Sequence, residues 1–220
     1  MYKKKLIFSI IYLLCTCSHL PAYQDTQQEF QDWHNGDLIF HDSGNRIQTD
    51  AIRYATQSSF THVGIIKITR KGPVVIEAIG PVVETPLRQF IKRGRNHEYS
   101  VFRIAGLSDQ KRQQIIREAR HYYGRPYDPF FRLDEGNIYC SELPYKIFVR
   151  LGIPVSSPQK FKELDIANPV IRLLFNQRWK KHPDCSNMSH PDTCWKLLLE
   201  QEIISPVRLT EIQDMKQVYP

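Results

Sequence analysis

The stretch Tyr139-Cys140-Ser141-Glu142-Leu143 decides how this chain is read. A single mid-chain cysteine lies between a turn-rich segment, Asp134-Glu135-Gly136-Asn137, and an apolar run carried by Leu143, Ile147, Phe148 and Leu151. That pattern puts Cys140 at or beside a helix N-terminus, where free backbone N–H groups and the helix dipole favour a thiolate. A second stretch upstream, Thr61-His62-Val63-Gly64-Ile65-Ile66, reads as a strand carrying one histidine. A cysteine paired with a histidine distant in sequence is the nucleophile and general base of a cysteine hydrolase. The other histidines sit beside turns, in loops or on a helix, whereas His62 lies inside a strong strand that can hold an imidazole rigidly.

The chain's 220 residues are enough for one domain with a full core. Met1-Tyr2-Lys3-Lys4-Lys5 is a basic segment, Leu6 to Leu14 an apolar one too short to span a bilayer, and Leu20-Pro21-Ala22 offers a cleavage point. Together they predict a secretory signal peptide over 1–22 and a mature chain over 23–220. The residues before Cys15 and Cys17 match a lipobox poorly, so periplasmic export is preferred over lipid anchoring. Cleavage removes three lysines and no acid, lowering the formal charge from +7 to +4. That scattered excess suits anionic envelope material and argues against nucleic acid.

Turn signals and periodicity give the order of elements. A short strand follows Gly36-Asp37. Helical spacing covers 46–57, and strands over 60–69 and 74–79 form an antiparallel hairpin around Arg70-Lys71-Gly72-Pro73. A short strand at 82–85, a helix at 87–93 and a strand at 99–104 follow. Ser108 caps a helix predicted over 108–123, and 140–151 is the cysteine helix. Beyond Ser156 the pattern weakens: helix over 171–179, a polar loop from His182 to Cys194, an apolar run from Leu197 to Ile204, then a tail with Leu209 as its last buried residue. A strand-rich middle flanked by helices is an α+β arrangement. It reads as one catalytic domain with a core over 34–151 and a C-terminal extension over 152–220.

A nucleophile–base pair needs a third group to orient the imidazole. Glu77 sits in the very apolar run Val74-Val75-Ile76-Glu77-Ala78-Ile79, so its carboxylate is either on the outer face or buried with a partner. Hairpin register is not readable from sequence, and Asp37, Glu84 and His41 compete for the role. The backbone N–H of Cys140 is a natural oxyanion donor. Asp37, Tyr127 and Tyr139 are candidates to line the cleft. Cys185 and Cys194 fall in the near-duplicates His182-Pro183-Asp184-Cys185 and His190-Pro191-Asp192-Thr193-Cys194. In an exported protein a disulfide closing that short loop is preferred over zinc.

The segments Gly36-Asp37-Leu38-Ile39-Phe40, His62-Val63-Gly64-Ile65, Gly124-Arg125-Pro126-Tyr127-Asp128 and Cys140-Ser141-Glu142-Leu143 resemble those of the NlpC-type papain-like cysteine hydrolases. Here the histidine precedes the cysteine, as in the circularly permuted YiiX/YebB-like group related to lecithin–retinol acyltransferase. The resemblance runs from His34 to Leu151, with Ile204-Ser205-Pro206 a weaker match. It implies a permuted papain-like fold, with a small antiparallel sheet packed on the cysteine helix, and a Cys140–His62–Glu77 triad. It also implies amide cleavage through an acyl-enzyme, with no metal or organic cofactor. The substrate it implies is first a cell-wall (peptidoglycan) peptide and second a lipid or N-acyl amide. A non-catalytic envelope-binding module on the same fold is the alternative. No membrane-spanning segment is expected after processing, and oligomeric state is not legible.

Overall fold

The computed structural model describes residues 32–44 and 46–220, so the expected signal peptide over 1–22 lies outside the described residues. Residues from Trp33 to Pro220 make one compact unit. Its centre is a six-stranded, fully antiparallel sheet. The strands are β1 (Leu38–His41), β2 (His62–Thr69), β3 (Gly72–Ala78), β4 (Val82–Pro86), β5 (Ser100–Ile104) and β8 (Met215–Tyr219), in the order β4-β3-β2-β1-β5-β8. Two-residue strands β6 (Gln159–Lys160) and β7 (Glu202–Ile203) pair separately.

Alternation along the strands sends every second residue to one layer. Leu38, Phe40, Val63, Ile65, Ile76 and Ala78 share a core with Ile115, Ile116 and Ala119 of helix α3 (Asp109–Ala119) and with Leu143, Ile147 and Phe148 of α4 (Glu142–Arg150). The Ser108 side chain accepts a hydrogen bond from the Lys111 N–H, as expected of the N-cap. Pro144 is tolerated in the first turn of α4, where its missing N–H has no intrahelical partner to lose. Helix α2 (Leu87–Arg93) packs on β3 and β4 and buries Phe90.

A second cluster joins α1 (Ile47–Thr56) to α5 (Pro169–Arg178) through Ala51, Ala55, Ile171 and Leu174. Beside it, the Cys185–Cys194 disulfide, 5.4 Å between Cα atoms, is fully buried against Phe175.

The structure departs from the expected elements mainly near the C-terminus. The loop expected up to Cys194 gives way at Pro191, which opens helix α6 (Pro191–Leu198) at a position where proline's fixed φ suits the first turn. The tail is not peripheral: β8 extends the sheet beside β5, and Ile212, 3% exposed, is buried beyond Leu209. Met215-Lys216-Gln217-Val218-Tyr219 escapes a strand reading because an edge strand buries little on either face. Its closing residue is held by stacking of Tyr219 on Tyr99, ring centroids 4.7 Å apart.

Gly64 marks the tightest point of the sheet. A Cβ there would meet Val75 Cγ1 at 2.2 Å and the Ile76 carbonyl oxygen at 3.1 Å. Gly64→Ala is therefore expected to destabilise the chain by about 1–3 kcal/mol through overpacking. A lowered urea midpoint at unchanged m-value is the readout.

Candidate active site

The β2–β3 register puts Ile65 opposite Ile76, so Glu77 falls across from Gly64, one diagonal step from His62. The absent side chain at Gly64 leaves the carboxylate room to reach the imidazole. His62 Nε2 lies 2.6 Å from Glu77 Oε2, and both side chains are buried. The other carboxylate oxygen, Oε1, accepts from Arg93 at the end of α2, and Thr85 of β4 adds a hydrogen bond. Burial pushes the Glu77 carboxyl up, but His62, Arg93 and Thr85 together bring it down to about 2.

Cys140 is 2% exposed and lies two residues before the first residue of α4. Burial raises the thiol, yet its hydrogen bond to the His62 ring and the charge of that ring outweigh burial, with help from Ser141 and the Val63 N–H. The net effect lowers the Cys140 pKa. For His62 the order is the same: burial disfavours its charge, while Cys140 and Glu77 raise it to about 9. The site can hold a thiolate–imidazolium pair oriented by a carboxylate, the state a thiol nucleophile needs.

The cysteine loop is anchored on both sides by one distant residue. The Tyr139 hydroxyl accepts from the Ile204 N–H at 3.0 Å, and the Ser141 hydroxyl donates to the Ile204 carbonyl at 2.8 Å. The preceding loop is set by buried Asp128, whose carboxylate accepts from the N–H groups of Phe130 and Arg132.

Of the competitors for the orienting role, Glu84 is engaged by Lys67 and Tyr123. Asp37 is not in the cleft: its fully buried carboxylate pairs with Arg103 at 2.7 Å and Arg112 at 3.5 Å, tying β1 to β5 and α3. His41 faces His62 across β1 and β2, with ring centroids 5.2 Å apart. Burial first, then the neighbouring His62, lowers the His41 pKa to about 3, against the upward effect of the Asp42 backbone. Tyr139 lines the cleft, and Tyr127 stands behind it, its hydroxyl accepting from Gln48 Nε2 at 3.1 Å. Cys185 and Cys194 are joined to each other, away from Cys140.

Cys140 lines a cleft that is continuous with solvent. Its walls are apolar: Phe130, Leu174, Phe175, Trp179, Trp195 and Ile203 are representative. Arg93, Gln48, Arg178 and this cleft were not readable in the sequence. Arg93 carried one available signal, its place in the last turn of a short basic helix following the Glu77 strand.

Removing the Glu77 charge lowers the His62 pKa and raises that of Cys140. Glu77→Gln is therefore expected to move the pH midpoint of Cys140 alkylation by iodoacetamide upward, and His62→Ala, which leaves the upward effect of burial unopposed by the imidazolium, to move it to or above the free-thiol value of about 8.5. Peptide mass spectrometry across pH is the measurement. The depressed Glu77 carboxyl also supplies stability above its unfolded value of 4.5 that is lost as pH falls through about 2. The stability gap between wild type and Glu77→Gln should close over that window in urea titrations.

A family model described as permuted papain-like amidase enzyme, YaeF/YiiX, C92 family, matches residues 32–219. The chain is 35% identical over 173 residues to the uncharacterized protein YiiX of Escherichia coli (strain K12), a match covering 78% of each. It is also similar to the crystal structure of metalloprotein yiiX from Escherichia coli O157:H7. There the TM-score is 0.74, the identity 33%, and the coverage 85% of this chain and 98% of that one.

Proposed function

The chain belongs to the permuted papain-like amidase family, and on that premise we propose that it is an exported cysteine amidase that cleaves N-acyl amides of lipid-like substrates. Cys140 is the nucleophile, His62 the general base and acid, and Glu77 the group that orients the imidazole. The thiolate attacks the acyl carbonyl and forms a C–S bond. The tetrahedral oxyanion collapses, the C–N bond breaks, and the imidazolium hands its proton to the leaving amine. A water, deprotonated by His62, then attacks the thioester; a C–O bond forms, the C–S bond breaks, and the thiol is restored. Backbone N–H groups at the start of α4, that of Cys140 first, are the proposed oxyanion donors.

The observation that carries the substrate class is the apolar cleft opening on Cys140. A cell-wall peptide would bury most of its backbone amides against these apolar walls without partners, at a cost of several kcal/mol in total. An acyl chain instead gains roughly 0.8 kcal/mol for each methylene removed from water. Export is supported by the basic and apolar run at the N-terminus and by the disulfide, which persists in oxidising compartments.

The related yiiX is described as a metalloprotein. In this chain, among the described residues, no three His, Cys, Asp or Glu side chains converge in a set that could hold a metal ion. Both nitrogens of His62 are engaged by Cys140 and Glu77. The donor set does not fit a metal.

For N-acylethanolamines of increasing chain length, kcat/KM should rise roughly fourfold per added methylene until the cleft is full. Cys140→Ser and His62→Ala should abolish turnover with the fold retained by circular dichroism. Turnover of cell-wall peptides with no response to acyl length would overturn the substrate class.

A further inference from the structure

Apart from the reacting thiol of Cys140, one formally charged side chain lines the apolar cleft. No aspartate or glutamate lines it, and its histidine, His182, is held towards the neutral form by burial. The remaining ionisable cation is Arg178, at the C-terminal end of α5 and half-buried in the wall. Its Nη1 donates to Gln48 Oε1 at 2.7 Å and to the Pro129 carbonyl at 3.1 Å. Among the described residues no carboxylate lies within 4.0 Å of it, and Nε and Nη2 make no hydrogen bond.

An arginine carries five N–H donors in a planar fork suited to carboxylate and phosphate. Exposed arginines leave such donors to water at little cost. In an apolar wall the same donors are expensive once an acyl chain displaces the water around them. The guanidinium is also fixed in position. Gln48 bridges it to the Tyr127 hydroxyl, so α1, the loop before Cys140 and α5 all meet at this point. A side chain held by neutral groups, with its remaining donors free in a cleft that has no acid, is set to receive an anion.

We propose that Arg178 binds an acid group of the substrate, so that the preferred substrates are N-acyl amides carrying a carboxylate or phosphate as well as an apolar chain. This deepens the acyl-amide reading of the same cleft and rests on it. Arg178 acts in binding and takes no part in bond making or breaking.

The test is binding to the chain carrying Cys140→Ala, which cannot turn the ligands over. Quenching of Trp179 and Trp195, both in the cleft wall, reports occupancy. Four probes form two pairs: N-dodecanoylglycine against N-dodecanoylglycinamide, and N-dodecanoyl-O-phosphoethanolamine against N-dodecanoylethanolamine. The expected result is an acid form bound about tenfold or more tightly than its neutral partner, a preference that weakens with salt. Adding Arg178→Gln should bring that ratio close to one, and Arg178→Lys should keep part of it. The pair with the larger ratio distinguishes carboxylate from phosphate. Equal affinities within both pairs, or a preference that survives Arg178→Gln, would overturn the assignment of Arg178 and leave the acyl-amide reading standing. Failure of all four dodecanoyl probes to bind would instead overturn the acyl-amide reading and this inference with it.

Discussion

A fully buried carboxylate holds the candidate site together. Glu77 has no exposure, and its two oxygens are divided between His62 and Arg93. A lone carboxylate in that position would be protonated or would unfold its surroundings, because an unpaired buried charge costs several kcal/mol. Two cationic partners make the ionised form the favoured one. The same logic extends outward. Cys140, His62, Glu77 and Arg93 form a row in which negative and positive charge alternate, so each member stabilises its neighbour's ionised state. His41 is the exception that the row requires. It packs 4.5 Å from Phe90 and directly beside His62, and a second imidazolium there would oppose the first. Its depressed basicity keeps it a neutral aromatic spacer.

The second dependence is on Ile204. One backbone unit of a segment more than sixty residues downstream accepts from Ser141 and donates to Tyr139, the residues flanking the cysteine. The C-terminal extension therefore belongs to the site. It anchors the start of α4, forms much of the cleft wall through α5, α6 and β7, and contributes β8 to the central sheet. The division into a core ending at Leu151 and an appended extension follows the motifs of the sequence and not the packing, since Ile153, Ile204, Leu209 and Ile212 share the main core with the sheet.

What was legible in the sequence was whatever depends on local pattern. Strand alternation around His62 and Glu77, the Ser108 cap, the turn before Cys140 and the short Cys185–Cys194 loop each carry their signal within about a dozen residues. The His62–Glu77 contact needed one further fact, the register of a hairpin, which places Glu77 opposite Gly64. Features built from three distant segments left no such trace. Asp37 looked like a cleft residue because it opens a family-like motif, yet its partners Arg103 and Arg112 come from β5 and α3 and turn it into a core tether. The link from Tyr127 through Gln48 to Arg178 joins residues drawn from three separate parts of the chain, none unusual in its own neighbourhood.

The apolar cleft and the charge row are physically connected. A wall of Phe130, Phe175, Trp179 and Trp195 suits an acyl chain, but an occupied cleft also removes water from around Cys140. Loss of water disfavours an isolated thiolate, and burial is already the largest influence on this thiol, acting upward. In a site of this polarity, attraction within the thiolate–imidazolium pair must grow as solvent leaves, and it does so because the local dielectric falls. That gain is available only while the imidazole stays charged and correctly turned, which is what Glu77, itself held by Arg93, provides. An open, wetter cleft could leave the histidine with a weaker orienting partner. A cleft with apolar walls cannot, and the doubly paired carboxylate behind His62 is the feature that makes such walls compatible with an ionised thiol at Cys140.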